Sequence, residues 1–372
     1  MARPRPILPR LALAATAALA LAGCRSGATP RVAAPSSTPP AWELENPVKP
    51  LPAPPLGIDV DWASAKVKVT PEKVRLGRWL FYDRRLSADG TVSCASCHQP
   101  EHAFSETTPH STGIRGKTGT RKSPSFVNGA FPIYPAWFWD GRASSLQEQA
   151  KGPMVNPVEM GATHEQVVAT VSRIGGYRGY FREAFGDDRV TLDRVVDALA
   201  AYEATRLSGN SAFDRYDAGD EAALTPAQER GRQLFFGRGR CNQCHLGPNF
   251  TDGKFHNLGV GWRDPGPGKP LKDGFADRGR YDVTRDEKDL GAFKTPTLRD
   301  CSKHPPYMHD GSMATLREVM LHYARGGLPN PRLDEAITPF PLSERDVDDL
   351  VELMRALDGE GYQDVAPRLL PQ

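Results

Sequence analysis

The sequence lacks a strong excess of charge of one sign, which limits the partners that it can bind. Its 47 Lys and Arg residues nearly balance its 45 Asp and Glu residues, so the formal net charge is only +2. A protein that binds nucleic acid needs a concentrated basic surface, and we expect no nucleic-acid partner. Long hydrophobic runs are also missing, which excludes a polytopic membrane protein.

Alternating apolar and polar residues, which are typical of β-strands, are scarce as well. Apolar residues instead recur at helical spacing, as in 192–205. Gly and Pro are frequent, at 35 and 34 residues, and both interrupt helices. Long Gly-rich stretches at 253–270 and 271–290 predict loops. We therefore predict a mostly α fold, and the 372 residues are enough for two domains.

The first 23 residues have the pattern of an export signal. Three arginines precede a short run of mainly Leu and Ala at 11–22, which is too short to span a bilayer. The Leu-Ala-Gly-Cys sequence that ends at Cys24 resembles a bacterial lipobox, in which the cysteine carries lipid. We expect a lipoprotein signal peptide at 1–23 and a lipid anchor at Cys24. An ordinary cleaved signal is the alternative.

This anchor would be the only attachment to a membrane. Arg25 stands where an Asp often retains lipoproteins in the inner membrane, so the sequence favours the outer membrane, facing the periplasm. Residues 24–57 are rich in Pro, Ser, Thr and Ala, a composition that cannot bury a core. We predict a semi-rigid tether over 24–57.

The rest of the chain contains an internal repeat. Thr70-Pro71 and Thr225-Pro226 each predict a helix start, because Thr caps free N–H groups and Pro fits the first helical position. Each predicted helix leads to a Cys-x-x-Cys-His motif. We therefore predict two related domains, at 58–218 and 219–372.

The Cys-x-x-Cys-His motif is the attachment pattern of c-type haem, in which two thiols bond to the haem and the histidine binds its iron. A disulfide oxidoreductase or a zinc site uses similar cysteine pairs, but neither predicts His directly after both of them. We predict two covalently bound haems, with Cys301 a buried thiol. The residues that would hold the haems are Cys94, Cys97, His98, Cys241, Cys244 and His245.

Further motifs resemble the bacterial di-haem cytochrome c peroxidases, a family that includes the MauG-type enzymes. The resemblance covers about residues 58–360, and its most specific segments are Phe138-Trp139-Asp140-Gly141-Arg142, Asn156-Pro157-Val158-Glu159-Met160, Lys294-Thr295-Pro296-Thr297-Leu298-Arg299 and Pro306-Tyr307-Met308-His309-Asp310-Gly311. It implies two cytochrome c-like haem domains packed against each other. The haem on His98 would then be the peroxidatic site, and the haem on His245 would transfer electrons.

The resemblance also implies roles for single residues. Glu159 matches the distal acid that assists O–O cleavage, and Gln149 matches a neighbouring amide. Trp139 matches a tryptophan between the two haems, although Trp137 is only two residues away. Each has an ordinary alternative: Glu159 could be an exposed loop carboxylate, and either tryptophan could serve packing alone.

The second axial ligand of the haem on His245 decides the branch of the family. Many members have Met eight residues after the Thr that opens the helix, and here Thr315 is followed at that distance by Tyr323. A tyrosine at this place resembles the MauG-type branch, and a phenolate oxygen favours ferric iron. Met320 and Met308 are rival ligands to Tyr323.

Two positions depart from the family pattern. The segment 114–116 lacks the distal His of other members, so we expect a first haem that is open without reductive activation. Lys122 stands where an Asn side chain would bind Ca²⁺ between the domains, and Lys is no calcium ligand. Backbone carbonyls at His304 and Pro306 match other ligands. Calcium is therefore in doubt, and the Lys122 ammonium could take its place.

These features predict an enzyme that reduces H2O2 to water. Its electrons would come from a small redox protein such as a cytochrome c or a cupredoxin. The first alternative is a MauG-like oxidation of a partner protein or small molecule. The second is a di-haem electron carrier without enzymatic activity, which the presence of Glu159 and Gln149 disfavours.

Overall fold

The structure is a computed structural model, and it describes residues 39–63, 65–130 and 134–372. The predicted signal peptide and the anchor at Cys24 lie outside these ranges. The helices of the described chain are α1 Pro71–Tyr82, α2 Cys94–Cys97, α3 Leu146–Val155, α4 His164–Arg173, α5 Tyr177–Phe185, α6 Leu192–Ala204, α7 Ala212–Asp217, α8 Pro226–Phe236, α9 Tyr281–Thr284, α10 Leu316–Ala324 and α11 Glu344–Ala356. The prediction of a mostly α fold is confirmed.

Both Thr-Pro pairs begin helices, as predicted. The side chain of Thr70 accepts a hydrogen bond from the backbone N–H of Lys73 at 3.3 Å at the start of α1. Thr225 accepts in the same way from Gln228 at 3.3 Å at the start of α8. The predicted domain boundary at 218 and 219 falls in the connection between α7 and α8, and it stays a prediction.

Each half of the chain contains one closely packed helix pair: α1 packs on α6, and α8 packs on α11. A glycine lies at each crossing. A Cβ atom on Gly77 would lie 1.9 Å from the backbone oxygen of Ala198, and one on Gly231 would lie 2.1 Å from that of Asp349. Only glycine permits this approach of the two backbones, so the repeated Gly-Arg sequence encodes the same helix pair twice.

Apolar side chains from these helix pairs form the cores. In the first half, Trp79 and Phe81 of α1 are fully buried together with Leu199 of α6. In the second half, Phe235 of α8 packs with Leu350 of α11. The period of 3.6 residues places these side chains on one face of each helix, and the periodic apolar residues at 192–205 correspond to α6.

The Gly-rich region contains more order than its composition predicts. Strands β1, Phe255–Asn257, and β2, Ala292–Lys294, form a two-stranded antiparallel pair in which Phe255 lies opposite Lys294. Three-residue strands are too short to show an alternating pattern, and the prediction of loop over 253–270 therefore missed β1. The short 3-10 turns of the chain are Ala41–Glu45, Arg84–Leu86, Pro100–His102, Ile114–Gly116, Cys241–Gln243, Leu271–Gly274, Glu287–Asp289 and Cys301–Lys303.

The second part of the predicted tether packs on the folded body. Asn46 is 5% exposed, and its side-chain amide donates to the backbone oxygen of Arg75 at 2.8 Å. The backbone N–H of Asn210 donates to Leu56 at 2.8 Å. Residues Pro40–Gln372 accordingly form one compact unit. No helix within the described ranges is both long and apolar enough to cross a membrane.

Candidate functional site

The first Cys-x-x-Cys-His motif lies on α2 and the residue after it. Ser93 and Ser96 cap this short helix reciprocally, and the backbone N–H of His98 donates to Cys94 at 3.0 Å. The turn therefore brings Cys94, Cys97 and His98 to the lining of one cavity. The Nδ1 atom of His98 lies 2.9 Å from the backbone oxygen of Phe104, which fixes the ring and leaves Nε2 for a metal.

The second motif repeats this arrangement. Cys241, Cys244 and His245 line a second cavity, and Nδ1 of His245 lies 2.9 Å from the backbone oxygen of Phe250. Burial lowers the pKa of His245, as it does for His98. Both imidazoles are therefore neutral at pH 7, the form that binds a metal.

The two cavities have the size and the chemistry that c-type haem requires. Their empty space, including the open mouths, is about 1540 Å³ for the first and about 1730 Å³ for the second. Burial raises the pKa of Cys94, Cys97 and Cys241, whereas a redox-active thiol has a lowered pKa. Two thiols and one neutral imidazole at each cavity fit covalent haem attachment with one axial histidine.

Two predicted residues meet in the first cavity. Glu159 and Gln149 both line it, and Asn156 donates from Nδ2 to Oε1 of Glu159 at 2.6 Å. Burial raises the pKa of Glu159, although the hydrogen bond from Asn156 and the charge of Arg142 partly oppose this. Glu159 is half-buried rather than an exposed loop carboxylate. A carboxyl group with a raised pKa is suited to exchanging protons.

The residues that line the first cavity include one histidine, His98. Neither His110 nor the segment Ile114–Gly116 belongs to the lining. The side chain of Lys122 is buried, and its ammonium donates to the backbone oxygens of Glu106 and Thr108. This lysine therefore supplies a positive charge to a set of carbonyl groups.

Three candidate ligands face the second cavity. Tyr323 and Met320 on α10 line it, and so does Met308, which precedes that helix. Burial raises the pKa of Tyr323, with the nearby Cys241 and Cys244 adding to the effect. The structure brings all three side chains to the cavity and so keeps the choice between them open.

A second repeat, which our sequence reading missed, relates the segments before α3 and α10. Asp140-Gly141 corresponds to Asp310-Gly311. In the first segment Trp137 pairs with Ala143, and in the second Tyr307 pairs with Met313. The backbone φ angles of Phe138 and Met308 are 66° and 71°. The sequence signal for this repeat was the shared Asp-Gly, followed in each segment by the residue that caps the next helix, Ser145 or Thr315.

This second repeat explains why the two cavities differ. Tyr323 lies seven residues after Leu316, the first residue of α10, and Pro153 lies at the same distance from Leu146 in α3. Pro153 lines the first cavity, just as Tyr323 lines the second. Because proline has no metal-binding side chain, the first cavity offers no ligand at this position.

Trp139 lies in the wall that separates the two cavities. The residues that line both cavities are Lys122, Ser123, Pro124, Ser125, Trp139, Lys294, Pro296 and Thr297. Nε1 of Trp139 donates to the backbone oxygen of Lys122 at 2.8 Å. Trp137 lines only the first cavity, and its Nε1 has no hydrogen-bond partner among the described residues. Trp139 is therefore the better placed of the two for contact with both sites.

Comparisons with known proteins agree with this geometry. The family profile described as di-haem cytochrome c peroxidase matches residues 71–222. The methylamine utilization protein MauG of Methylorubrum extorquens is 39% identical over 303 residues, covering 81% of this chain and 82% of that protein. The cytochrome c551 peroxidase of Nitrosomonas europaea is 40% identical over 255 residues, covering 68% of this chain and 73% of that protein.

A solved structure supports the same assignment. The crystal structure of a MauG-like protein associated with microbial copper homeostasis has a TM-score of 0.70 and 31% sequence identity, covering 84% of this chain and 94% of that one. The family implies two c-type haems, and the paired cavities with their thiols and imidazoles fit them. The chain therefore belongs to the di-haem cytochrome c peroxidase family, which includes the MauG proteins, and is an oxidoreductase of that family.

Proposed function

We propose that this protein reduces H2O2 to water at the first cavity. The observation that carries the proposal is the placement of Glu159, with its raised pKa, in the cavity that also contains Cys94, Cys97 and His98. The second observation is Pro153, which leaves this cavity without the ligand that Tyr323 offers to the other. Peroxide needs an open metal face and a nearby proton-transfer group.

The residues of the chain have distinct tasks in this reaction. The haem, when bound, supplies the iron that exchanges electrons with peroxide. His98 would hold that iron, and Gln149 would orient the peroxide through its amide. Glu159 takes a proton from one peroxide oxygen and gives it to the other, so that water leaves instead of hydroxide. The balance is H2O2 plus two protons and two electrons to two molecules of water.

The second cavity would receive the electrons. His245 would hold the iron on one side, and Tyr323 would be its second ligand, with Met320 or Met308 as the alternatives. Trp139, in the wall between the cavities, would pass electrons to the first site. A small cytochrome c or cupredoxin would supply them. We place the protein in the periplasm, with Cys24 as a lipid anchor in the outer membrane.

Replacing Glu159 by Gln tests the proposal. The substitution keeps the size of the side chain but removes its proton transfer, so peroxide turnover should fall by about 10²–10⁴-fold. The haem content, measured by the pyridine haemochrome spectrum, should stay at two per chain. Glu165→Gln, at an exposed position on α4, is the matched control and should leave turnover unchanged. Unchanged turnover in Glu159→Gln would refute the role of this residue.

The alternative function is oxidation of a partner protein or another small molecule by peroxide. Tyr323 favours it, since a phenolate stabilises oxidised iron, and so does the sequence similarity to the MauG proteins. The two functions differ in the lifetime of the peroxide-oxidised protein when no electron donor is present. Rapid decay supports the peroxidase, whereas long-lived oxidised haem spectra support the alternative. The electron-carrier reading is disfavoured because a carrier needs neither an open first cavity nor Glu159.

A further inference from the structure

Trp139 is held by one hydrogen bond from each half of the chain. Its indole Nε1 donates to the backbone oxygen of Lys122, and its own backbone oxygen accepts from the N–H of Lys294, both at 2.8 Å. The two lysines begin related sequences, Lys-Ser-Pro-Ser at 122 and Lys-Thr-Pro-Thr at 294. The internal repeat thus places the backbone of Lys122 at the indole and that of Lys294 at the backbone of Trp139. Both lysines line both cavities.

The side chain of Lys294 is a cation without an anionic partner. Its ammonium donates to the backbone oxygen of Ala136 at 3.1 Å and lies 4.5 Å from the ring centroid of Tyr134. Within the part of the chain that the structure describes, no carboxylate comes within 4.0 Å of it, and burial lowers its pKa to about 8. Lys294 is half-buried, and a charge that is partly removed from water without an anionic partner costs free energy. Such a charge between two cavities is a candidate for an electrostatic role.

The hydrogen bond of the indole determines which oxidised form Trp139 can take. A backbone carbonyl accepts a hydrogen bond but cannot take up the proton. When Trp139 gives one electron to the first site, its proton stays on Nε1, and the indole carries a positive charge. One electron from the second site then restores the neutral indole. During that interval the positive charge lies in the same wall as the Lys294 ammonium.

We propose that Lys294 is a positioning residue that acts through Trp139: its ammonium repels the oxidised indole and so keeps the oxidising equivalent from remaining there. This inference rests on the proposed function, because it assumes two haems that exchange electrons across the wall. The same charge favours the reduced state of a nearby haem, since reduction lowers the positive charge of the iron site. Electrons therefore pass from the second site through Trp139 to the first site, and the indole does not stay oxidised.

The test compares variants of the haem-loaded protein at Lys294 and at one control position. Lys294→Gln removes the charge but keeps a donor for the backbone oxygen of Ala136, and Lys294→Arg keeps the charge. Lys254→Gln changes an exposed lysine next to β1 and is the control. Lys294→Met is the second neutral variant and is used if the glutamine variant does not assemble with two haems.

Two measurements are made on each variant. Spectroelectrochemical titration should show that the neutral variants shift both haem reduction potentials downwards, whereas the arginine and control variants keep the wild-type values. Freeze-quench EPR after one equivalent of H2O2 should show a protein radical that lasts about ten-fold longer in the neutral variants, because the repulsion between two charges is removed. The radical should disappear when Trp139→Phe is added.

Neutral variants that carry both haems and keep wild-type potentials would overturn the role of Lys294, whether or not the protein consumes peroxide. Lys294→Arg that behaves like the neutral variants would overturn it as well. Failure of the wild type to consume peroxide refutes the proposed function instead, and the potentials still decide about Lys294.

Discussion

Single residues make the two cavities chemically different. Pro153 and Tyr323 occupy equivalent positions in the second repeat, and so do Trp139 and His309. His309 is buried and stacks on Phe293 with the ring centroids 3.5 Å apart, whereas Trp139 lines both cavities. The two segments share the same backbone bridge and a positive φ at Phe138 and Met308, so we attribute the difference in chemistry to the side chains.

At this scale we predict that Tyr323→Phe changes the spectrum of one haem. Removing the phenolic oxygen takes away the proposed ligand, and EPR of the oxidised protein should show the low-spin signal of the second haem converted to high spin. Met320→Leu, one turn away on α10, is the matched control and should keep the low-spin signal. A low-spin signal that survives in Tyr323→Phe would point to Met320 or Met308.

Lys122 leads to a prediction about calcium. Its ammonium already donates to the carbonyl oxygens of Glu106 and Thr108, and a divalent cation placed beside it would be repelled. Treatment of the wild type with EDTA should therefore leave peroxide turnover and the optical spectrum unchanged. Turnover that falls with EDTA and returns with Ca²⁺ would show that a calcium site exists despite Lys122.

Helix pairs are the elements that carry the two sites. α1 with α6, and α8 with α11, cross at Gly77 and Gly231, where the partner backbone leaves no room for a Cβ atom. Each first helix leads directly towards a haem-attachment motif. α1 contacts α2, and α8 contacts the turn Cys241–Gln243, so each helix pair packs against its own haem-attachment motif.

We predict that Gly77→Ala destabilises the protein by about 1–3 kcal/mol, because the new Cβ atom overlaps the backbone oxygen of Ala198 and the helices must move apart. Chemical unfolding of the holoprotein, followed by circular dichroism, measures the change. Gly179→Ala on α5 meets nothing within 4 Å and should instead stabilise by up to about 1 kcal/mol. Equal effects at the two positions would contradict the proposed contact.

The sequence predicted those elements whose signals are local. The Thr-Pro pairs at 70 and 225 predicted helix starts, and the Cys-x-x-Cys-His motifs predicted which residues share a cavity, because a single turn brings them together. The two short strands escaped prediction because three residues show no pattern. The resemblance implied that Trp139 lies between the two haems, but its contacts with Lys122 and Lys294 escaped prediction, since they form only through tertiary packing. The shared Asp-Gly already relates Pro153 to Tyr323 in the sequence. The matching φ angles of Phe138 and Met308 support that alignment in the structure.

At the scale of the whole molecule, a buried ion pair joins segments that are far apart in the chain. Arg299 donates to both carboxylate oxygens of Asp214 on α7 at 2.8 Å, and the two side chains are 1% and 4% exposed. Burial alone would raise the pKa of Asp214, but the hydrogen bonds from Arg299 and its charge lower it overall. Asp214 therefore keeps its charge, and the pair fastens the segment after β2 to the end of the first half.

Arg299→Met should destabilise the holoprotein by about 3–5 kcal/mol, because it leaves the Asp214 carboxylate buried without a partner. Because the pKa of Asp214 is lowered in the folded state, the stability from this pair is present above about pH 4 and is lost on further acidification. Unfolding midpoints between pH 7 and pH 3 should therefore converge for the variant and the wild type. The control is Arg317→Met, whose ion pair is exposed and whose effect should stay below about 1 kcal/mol.

The wall between the cavities has a consequence for how such a protein can change over time. It combines residues 122–125 and Trp139 of the first half with Lys294, Pro296 and Thr297 of the second, so neither half lines its own cavity alone. A substitution in the wall therefore changes the lining of both cavities at once, although the two halves repeat the same helix pair and haem-attachment motif. A change confined to one cavity requires substitutions at residues that line only that cavity, such as Pro153 or Tyr323.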